Sequence, residues 1–283
     1  MMANKVSREH KKTINSIVWN FFCILLCCVF VFPFIYMVFN SLASDDSQIF
    51  VMEPSVIPAQ LRFQNYIDAF KQMKFLRSLG NTLIIMIPVI ILNMFGSLLA
   101  AYGFARCKGK YKNLLFVILI GTMMLPWVVT MVPAFVVFKK IGWIGTMLPL
   151  IVPAFGGSAY NIFMMRQFIM SLPRELDDAA TLDGCNALQT LFLILVPNMK
   201  PILMTLFVFL FTAMWSDYIG PSLYLLYDEQ ETLSLALLSF QDSYSVSWNL
   251  TLAGSVMFSL PMIIVLFAAQ KSYIGNAMDS AIK

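Results

Sequence analysis

Apolar residues fall in runs of about 20, the length that carries a helix across the hydrocarbon core of a bilayer, with short polar stretches between them. The runs cover roughly 14–39, 79–105, 114–138, 147–165, 201–219 and 250–269, and they predict about six transmembrane helices. The first run exceeds the ~7–15 apolar residues of a cleaved signal. It is therefore read as a retained span, although Ser41-Leu42-Ala43 has the small residues of a cleavage site. An amphipathic piece over 63–76 predicts a short interfacial helix ahead of the second span. Pro88, Pro126, Pro133, Pro149 and Pro153 lie inside the runs, with Gly121 and Gly156-Gly157. Neighbouring helices can satisfy the carbonyls such residues free. This composition suits both kinked helices that rock and ordinary membrane helices.

Composition agrees with the pattern. Of 283 residues, 59% are hydrophobic and 12% charged, with a mean hydropathy of +0.78, far from the ~45–50% apolar and ~25% charged of a soluble domain. The predicted class is all-α: a polytopic protein in contact with membrane lipid. A net charge of +4, with no basic run interleaved with stacking aromatics, does not suggest nucleic-acid binding. Cys23, Cys27, Cys28, Cys107 and Cys185 lack zinc-type pairing. His10 stands alone in the basic N-terminal tail, so no metal or cofactor is expected.

Orientation follows from Lys and Arg. With both termini inside, 13 of the 19 basic residues face the cytoplasm, and Arg62, Lys71, Lys74, Arg77, Lys139 and Lys140 face out. The last two dissent from the trend. The expected organisation is a cytoplasmic tail (1–13), a transmembrane domain (14–271) with a cytoplasmic loop over 166–200, and a cytoplasmic tail (272–283). No span holds an Asp, Glu, Lys or Arg of the kind that marks ion-coupled transport. Asp217 and Asn93 come closest, and Asp217 is expected at the outer interface beside Trp215 and Tyr218.

The polar break from Ser171 to Pro201 concentrates charge: Arg174, Glu175, Asp177, Asp178 and Asp183. Ser171 reads as an N-cap with Pro173 in the first turn. The acids that follow lie near the positive end of the helix dipole. Leu172, Leu176, Ala179 and Leu182 or Asp183 give a narrow apolar face, Ala179-Ala180 a place for another protein to approach, and Gly184 a left-handed stop. A second helix is expected from Asn186 towards Pro197 and Pro201. The product is a short amphipathic helix, a turn and a stiff connection into the membrane, which suits a lever pressed by a cytoplasmic partner.

Asp178-Ala179-Ala180, three residues, Gly184, nine residues, then Ile194-Leu195-Val196-Pro197 resembles the EAA loop of ABC-importer permeases, whose form ends in I-x-L-P. Asp178 stands for Glu and Val196 for Leu. Asn81-Thr82-Leu83, Ala100–Arg106, Trp215-Ser216-Asp217-Tyr218, Thr232–Leu235 and Ala253–Pro261 are similar to the maltose-type sugar permeases, so the resemblance covers most of the chain. It implies a permease subunit for carbohydrate or oligosaccharide that forms half of a translocation path. Glu175, Asp178, Ala179, Ala180, Asp183, Gly184, Ile194 and Pro197 would couple it to an ATPase. Implied partners are an ABC ATPase dimer, a second permease completing a heterodimer, and an extracytoplasmic solute-binding protein in a bacterial-type cell membrane. Importers of amino acids, phosphate or polyamines use related loops, and an ion-coupled carrier is the alternative of another class. The chain has no phosphate-cradling G-x-x-x-x-G-K-[ST] run and no nucleophile–base pair, so ATP hydrolysis is expected in a separate subunit. Periodicity does not name the residues that touch solute.

Overall fold

The computed structural model describes residues 2–44, 58, 60–240 and 247–281, with side chains placed from 16 to 270 within them. Pro54, Asp242, Lys283 and the side chains of the N-terminal tail, His10 included, lie outside it. In chain order the helices are α1 (Met2–Asn40), α2 (Gln64–Gln72), α3 (Phe75–Arg106), α4 (Lys112–Thr122), α5 (Trp127–Lys140) and α6 (Leu148–Ile151). A 3-10 turn over Val152–Gly156 leads to α7 (Ala159–Ser171), α8 (Glu175–Leu182) and α9 (Ala187–Gln189). A π-helix over Thr190–Leu195 precedes α10 (Val196–Asn198), α11 (Lys200–Ser216), α12 (Ile219–Tyr224), α13 (Leu233–Leu238) and α14 (Trp248–Ala281).

The structure is all-α, as the hydrophobic runs predict, with differences in how each run crosses. Ser16–Asn40, Phe75–Arg106, Leu148–Ser171 and Trp248–Gln270 are each long and apolar enough to span a membrane. The third run is not one rod: Lys112–Thr122 and Trp127–Lys140 meet at 98°. Proline disfavours the helical conformation for the residue before it, so Leu125 cannot carry the helix into Pro126, and α5 restarts there. The fifth span, Lys200–Ser216, makes 82° with the Ala187–Asn198 segment before it. If each bent pair is one span, the described residues hold six. The predicted interfacial helix is shorter than expected, because Lys74 adopts a left-handed φ of 45° and α3 starts at Phe75. The polar stretch between the runs at 201–219 and 250–269 contains α13, and α12 begins at the end of the first of these runs.

Two compact units divide the chain: Met1–Gln72 with Ser239–Met257, and Met73–Leu238 with Phe258–Lys283. In the first, the fully buried Asn65 amide donates to the carbonyls of Ser41 and Ala43 at 2.9 and 2.8 Å. The Ser41 hydroxyl meets the Tyr66 phenol at 2.7 Å. Two carbonyls beyond the end of α1 thereby find donors on α2, which a buried chain reversal requires.

In the second unit α3 is the central helix, packed on α7 and α11. Leu98, Ala101 and Ala105 of α3 meet Ile162, Met165 and Ile169 of α7, with Leu191, Leu195, Met199 and Leu206 filling the remaining side. Helices in lipid associate through close packing and small residues, since the surrounding tails are as apolar as leucine. Gly96 is the tightest such point: a Cβ there would lie 2.0 Å from the Phe155 carbonyl oxygen. Alongside it, Asn161 donates to the Asn93 side-chain oxygen at 2.8 Å, and the Ser158 N–H donates to Ser97 at 3.2 Å. Trp215 is buried and donates its indole N–H to the Phe258 carbonyl at 3.0 Å. α4 and α5 bury none of their residues within the chain.

Candidate functional site

The polar break folds as a clamped helix followed by a widened turn. Ser171 is not the N-cap that the sequence suggests. It is the last residue of α7 and turns its hydroxyl back to the Phe168 carbonyl at 2.7 Å. Arg174 occupies the N-cap without a side-chain bond, and Glu175, Asp177 and Asp178 fill the first turn. Their carboxylates offset the free N–H groups and positive pole at that end.

The C-terminus of α8 matches the sequence reading. Asp183 is the C-cap and Gly184 has φ +81°. The Gly184 N–H donates to Thr181 O at 3.1 Å and the Cys185 N–H to Ala180 O at 2.9 Å, the paired bonds of a Schellman motif. No neighbour lies within 4 Å of a Cβ built on Gly184, so backbone conformation alone calls for glycine there. Asn186 then opens α9 with a capping box: it accepts from the Gln189 N–H at 3.0 Å while its own N–H donates to the Gln189 side chain at 2.8 Å.

The second helix, expected to run unbroken from Asn186, is α-helical for a few residues only. The π-turn from Thr190 to Leu195 interrupts it, and Pro197, which has no N–H, follows two residues after its end, as the second residue of α10. The Asn198 side-chain amide donates to Ile194 O at 2.7 Å. Ile194 is half-buried and Pro197 exposed. Prolines and π-bulges are the usual causes of sharp helix bends, and both precede the 82° turn into α11.

Sequence reasoning missed Arg106. At the end of α3, its Nε lies 2.9 Å from Asp177 Oδ2 and its Nη2 donates to the Leu172 carbonyl at 3.0 Å. The Arg106 side chain is 9% exposed and that of Asp177 22%. Removing a guanidinium from water is costly unless charge and hydrogen bonds compensate, so Asp177 is drawn inward and fixes the rotation of α8. The inward residues are Leu176, Asp177 and Ala180; of the predicted row through Leu172, Leu176, Ala179 and Leu182 or Asp183, Leu172 and Leu176 are half-buried, with Leu172 packed against the core, and the other three are exposed. Ala180 is 2% exposed, on the side of α8 that packs on the π-segment; it is therefore part of the chain's own core and does not form the expected docking surface. Glu175, Asp178, Ala179, Asp183 and Gly184 are exposed, and Leu182 is 89% exposed. Nearby, Arg166 donates to Phe104 O at 3.2 Å and lies 3.9 Å over the Phe116 ring.

At the other end of α3 is a cavity of about 300 Å³ in the same unit, bordered by Thr82, Asn93, Asp217, Thr232 and Ser234. Thr82 and Arg106 are 24 residues apart on α3, roughly 36 Å at the α-helical rise. One helix thus connects a polar cavity with the clamped α8. Asp217 is half-buried, and its Oδ1 accepts from the Ile219 and Gly220 N–H groups at 3.1 Å each.

Residues 92–273 match the family described as "binding-protein-dependent transport system inner membrane component". The chain is 29% identical over 250 residues to a lactose transport system permease protein of Rhizobium radiobacter, covering 88% of this chain and 90% of that one. It is 28% identical over 274 residues to a probable starch degradation products transport system permease protein of Thermoanaerobacterium thermosulfurigenes, covering 96% and 99%. In fold it matches a chain of a bacterial ABC transporter that imports the acidic polysaccharide alginate, with TM-score 0.79, 22% identity and coverage of 91% and 96%.

Proposed function

Because this chain belongs to the family of binding-protein-dependent transport system inner membrane components, a family of multi-pass permease subunits, we propose that it is the permease of an ATP-driven carbohydrate importer. It forms half of the translocation path, and a second permease supplies the other half. Carbohydrate as cargo rests on the lactose and starch-product permeases among its relatives. Solute arrives on an extracytoplasmic binding protein, and a separate ABC ATPase dimer supplies the hydrolysis. Lys and Arg favour both termini, with the tails at 1–13 and 272–283, on the cytoplasmic side, and the loop over 166–200 faces the ATPase from there.

The observation that carries this reading is the rigid attachment of α8 to α3 by Arg106, with Ala179 and Leu182 left exposed. Glu175, Asp178, Ala179, Asp183 and Gly184 form the face that the ATPase grips, while Ala180 and Ile194 shape it from beneath and Pro197 sets the exit angle. The test is a Leu182→Cys variant co-expressed with candidate ATPase, permease and binding-protein subunits. Crosslinking of this cysteine to the ATPase, and ATPase activity stimulated by the sugar-loaded binding protein, are expected. Uptake driven by an ion gradient without an ATPase would overturn the reading.

A further inference from the structure

We propose that the cavity at the far end of α3 is a sugar-hydroxyl subsite that selects neutral over acidic saccharides, with Asp217 as its acceptor and Asn93 as its donor. This rests on the carbohydrate-importer reading above.

The hydrogen bonds around the cavity account for most of its polar atoms. Thr82 donates to Ser78 O at 2.8 Å and accepts from the Leu233 N–H at 2.9 Å. Thr232 meets the Ser234 hydroxyl at 3.0 Å, and Ser234 donates to Asp217 O at 2.6 Å. Asn93 Oδ1 accepts from Asn161 and Ser97. Asp217 Oδ1 accepts from two backbone N–H groups. Two atoms are left over among the described residues: the Asn93 amide nitrogen and Asp217 Oδ2. Asn93 as a residue is 8% exposed and borders the cavity, so its amide nitrogen can donate to a ligand hydroxyl there. One strong acceptor and one amide donor, over walls that include Val89 and Met214, make the complement of a sugar: hydroxyls that both give and take a proton, and an apolar C–H face.

Charge sets the class further. Among the described residues, no Lys, Arg or His borders this cavity, so a ligand carboxylate would face Asp217 without a counter-charge. Asp217 and Leu150 also border a second cavity of about 310 Å³, which Trp127 and Thr130 line as well. The carboxylate therefore stands at the partition between two compartments, where each sugar ring of a passing chain would meet it.

The test uses the full chain assembled with its partner permease and ATPase in nanodiscs, without binding protein, titrated with lactose and with digalacturonic acid. Lactose is expected to bind in the millimolar range and digalacturonate at least tenfold more weakly. Asp217→Asn keeps an oxygen for the Ile219 and Gly220 N–H groups and so spares the fold. It should weaken lactose about tenfold or more, as a lost charged hydrogen bond does, and narrow the gap between the two sugars. Asn93→Asp, which keeps the acceptor for Asn161 but removes the donor, should also weaken lactose. Equal binding of the two sugars, no binding of lactose, or an unchanged preference in Asp217→Asn would each overturn the proposal. Stimulation of ATPase by loaded binding protein, measured in parallel, separates the outcomes. If it persists while sugar binding fails the test, the subsite is wrong and the importer reading stands. If it is absent in the wild type, the importer reading itself fails.

Discussion

The ion pair between Arg106 and Asp177 should behave as a mechanical joint, and a double-mutant cycle can measure it. Two unit charges about 4 Å apart attract by ~4 kcal/mol at an effective dielectric constant near 20. Desolvation of the guanidinium opposes this, and the 22% exposure of Asp177 lets water screen the pair. A net coupling of about 1–2 kcal/mol follows, between the small value of a surface pair and the larger cost of breaking a buried one. Asp177→Asn leaves Arg106 with the Leu172 carbonyl but no counter-charge, so it should destabilise by about 2 kcal/mol. Arg106→Gln should cost a similar amount, and the double variant less than the sum. Stability would be read from reversible unfolding in mixed detergent micelles, and coupling from ATPase stimulated by the sugar-loaded binding protein. Each single variant should lose most of that stimulation while basal hydrolysis by the ATPase is retained. Single effects that add to within about 0.5 kcal/mol, as independent sites do, with stimulation intact, would refute the idea that this pair holds α8.

Two further outcomes follow from local geometry. Gly184→Val forces a β-branched residue to φ +81°, at about 1–3 kcal/mol of backbone strain, with no steric clash to add. Stimulated ATPase should therefore fall sharply in Gly184→Val and survive in Gly184→Asn, since asparagine tolerates the left-handed region; equal activities in the two would count against a conformational role. Burial raises the carboxyl pKa of Glu231 above its usual 4.5, with Asp228 raising it further and Lys74 opposing. A raised folded-state value means that the protonated form favours folding and that this contribution is lost as pH rises through that value. Glu231→Gln should thus have little effect on melting temperature below pH 4.5 and raise it progressively above, a trend that melting curves across pH 4–8 would reveal or exclude.

How far the sequence reaches differs by feature, for physical reasons. Long apolar runs such as α1, α3 and α14 are legible because lipid imposes one demand, an internally satisfied apolar helix, on every residue in them. The break at Pro126 was visible as a proline, but its angle was not, since the direction of α5 depends on what surrounds it. The left-handed stop at Gly184 and the cap at Asn186 are local and fall where residue type puts them. The rotation of α8 is not local. It depends on Arg106, some 70 residues upstream of Asp177, and neither charge announces its partner. That one pairing moves Ala180 from a presumed docking face into the core. The cavity is still less legible: its lining is gathered from residues between Thr82 and Ser234, although Asn93 and Asp217 already stood out as polar groups in apolar surroundings.

α8 is held to α3 by two routes. On its entry side, Arg106 ties both Leu172 and Asp177 to α3. On its exit side, the π-segment against which α8 packs buries Leu191 and Leu195 in the core that α3 shares with α7. A load on α8 would therefore reach α3 both directly and through the floor beneath it. Cutting the Arg106 route alone would leave the second one in place.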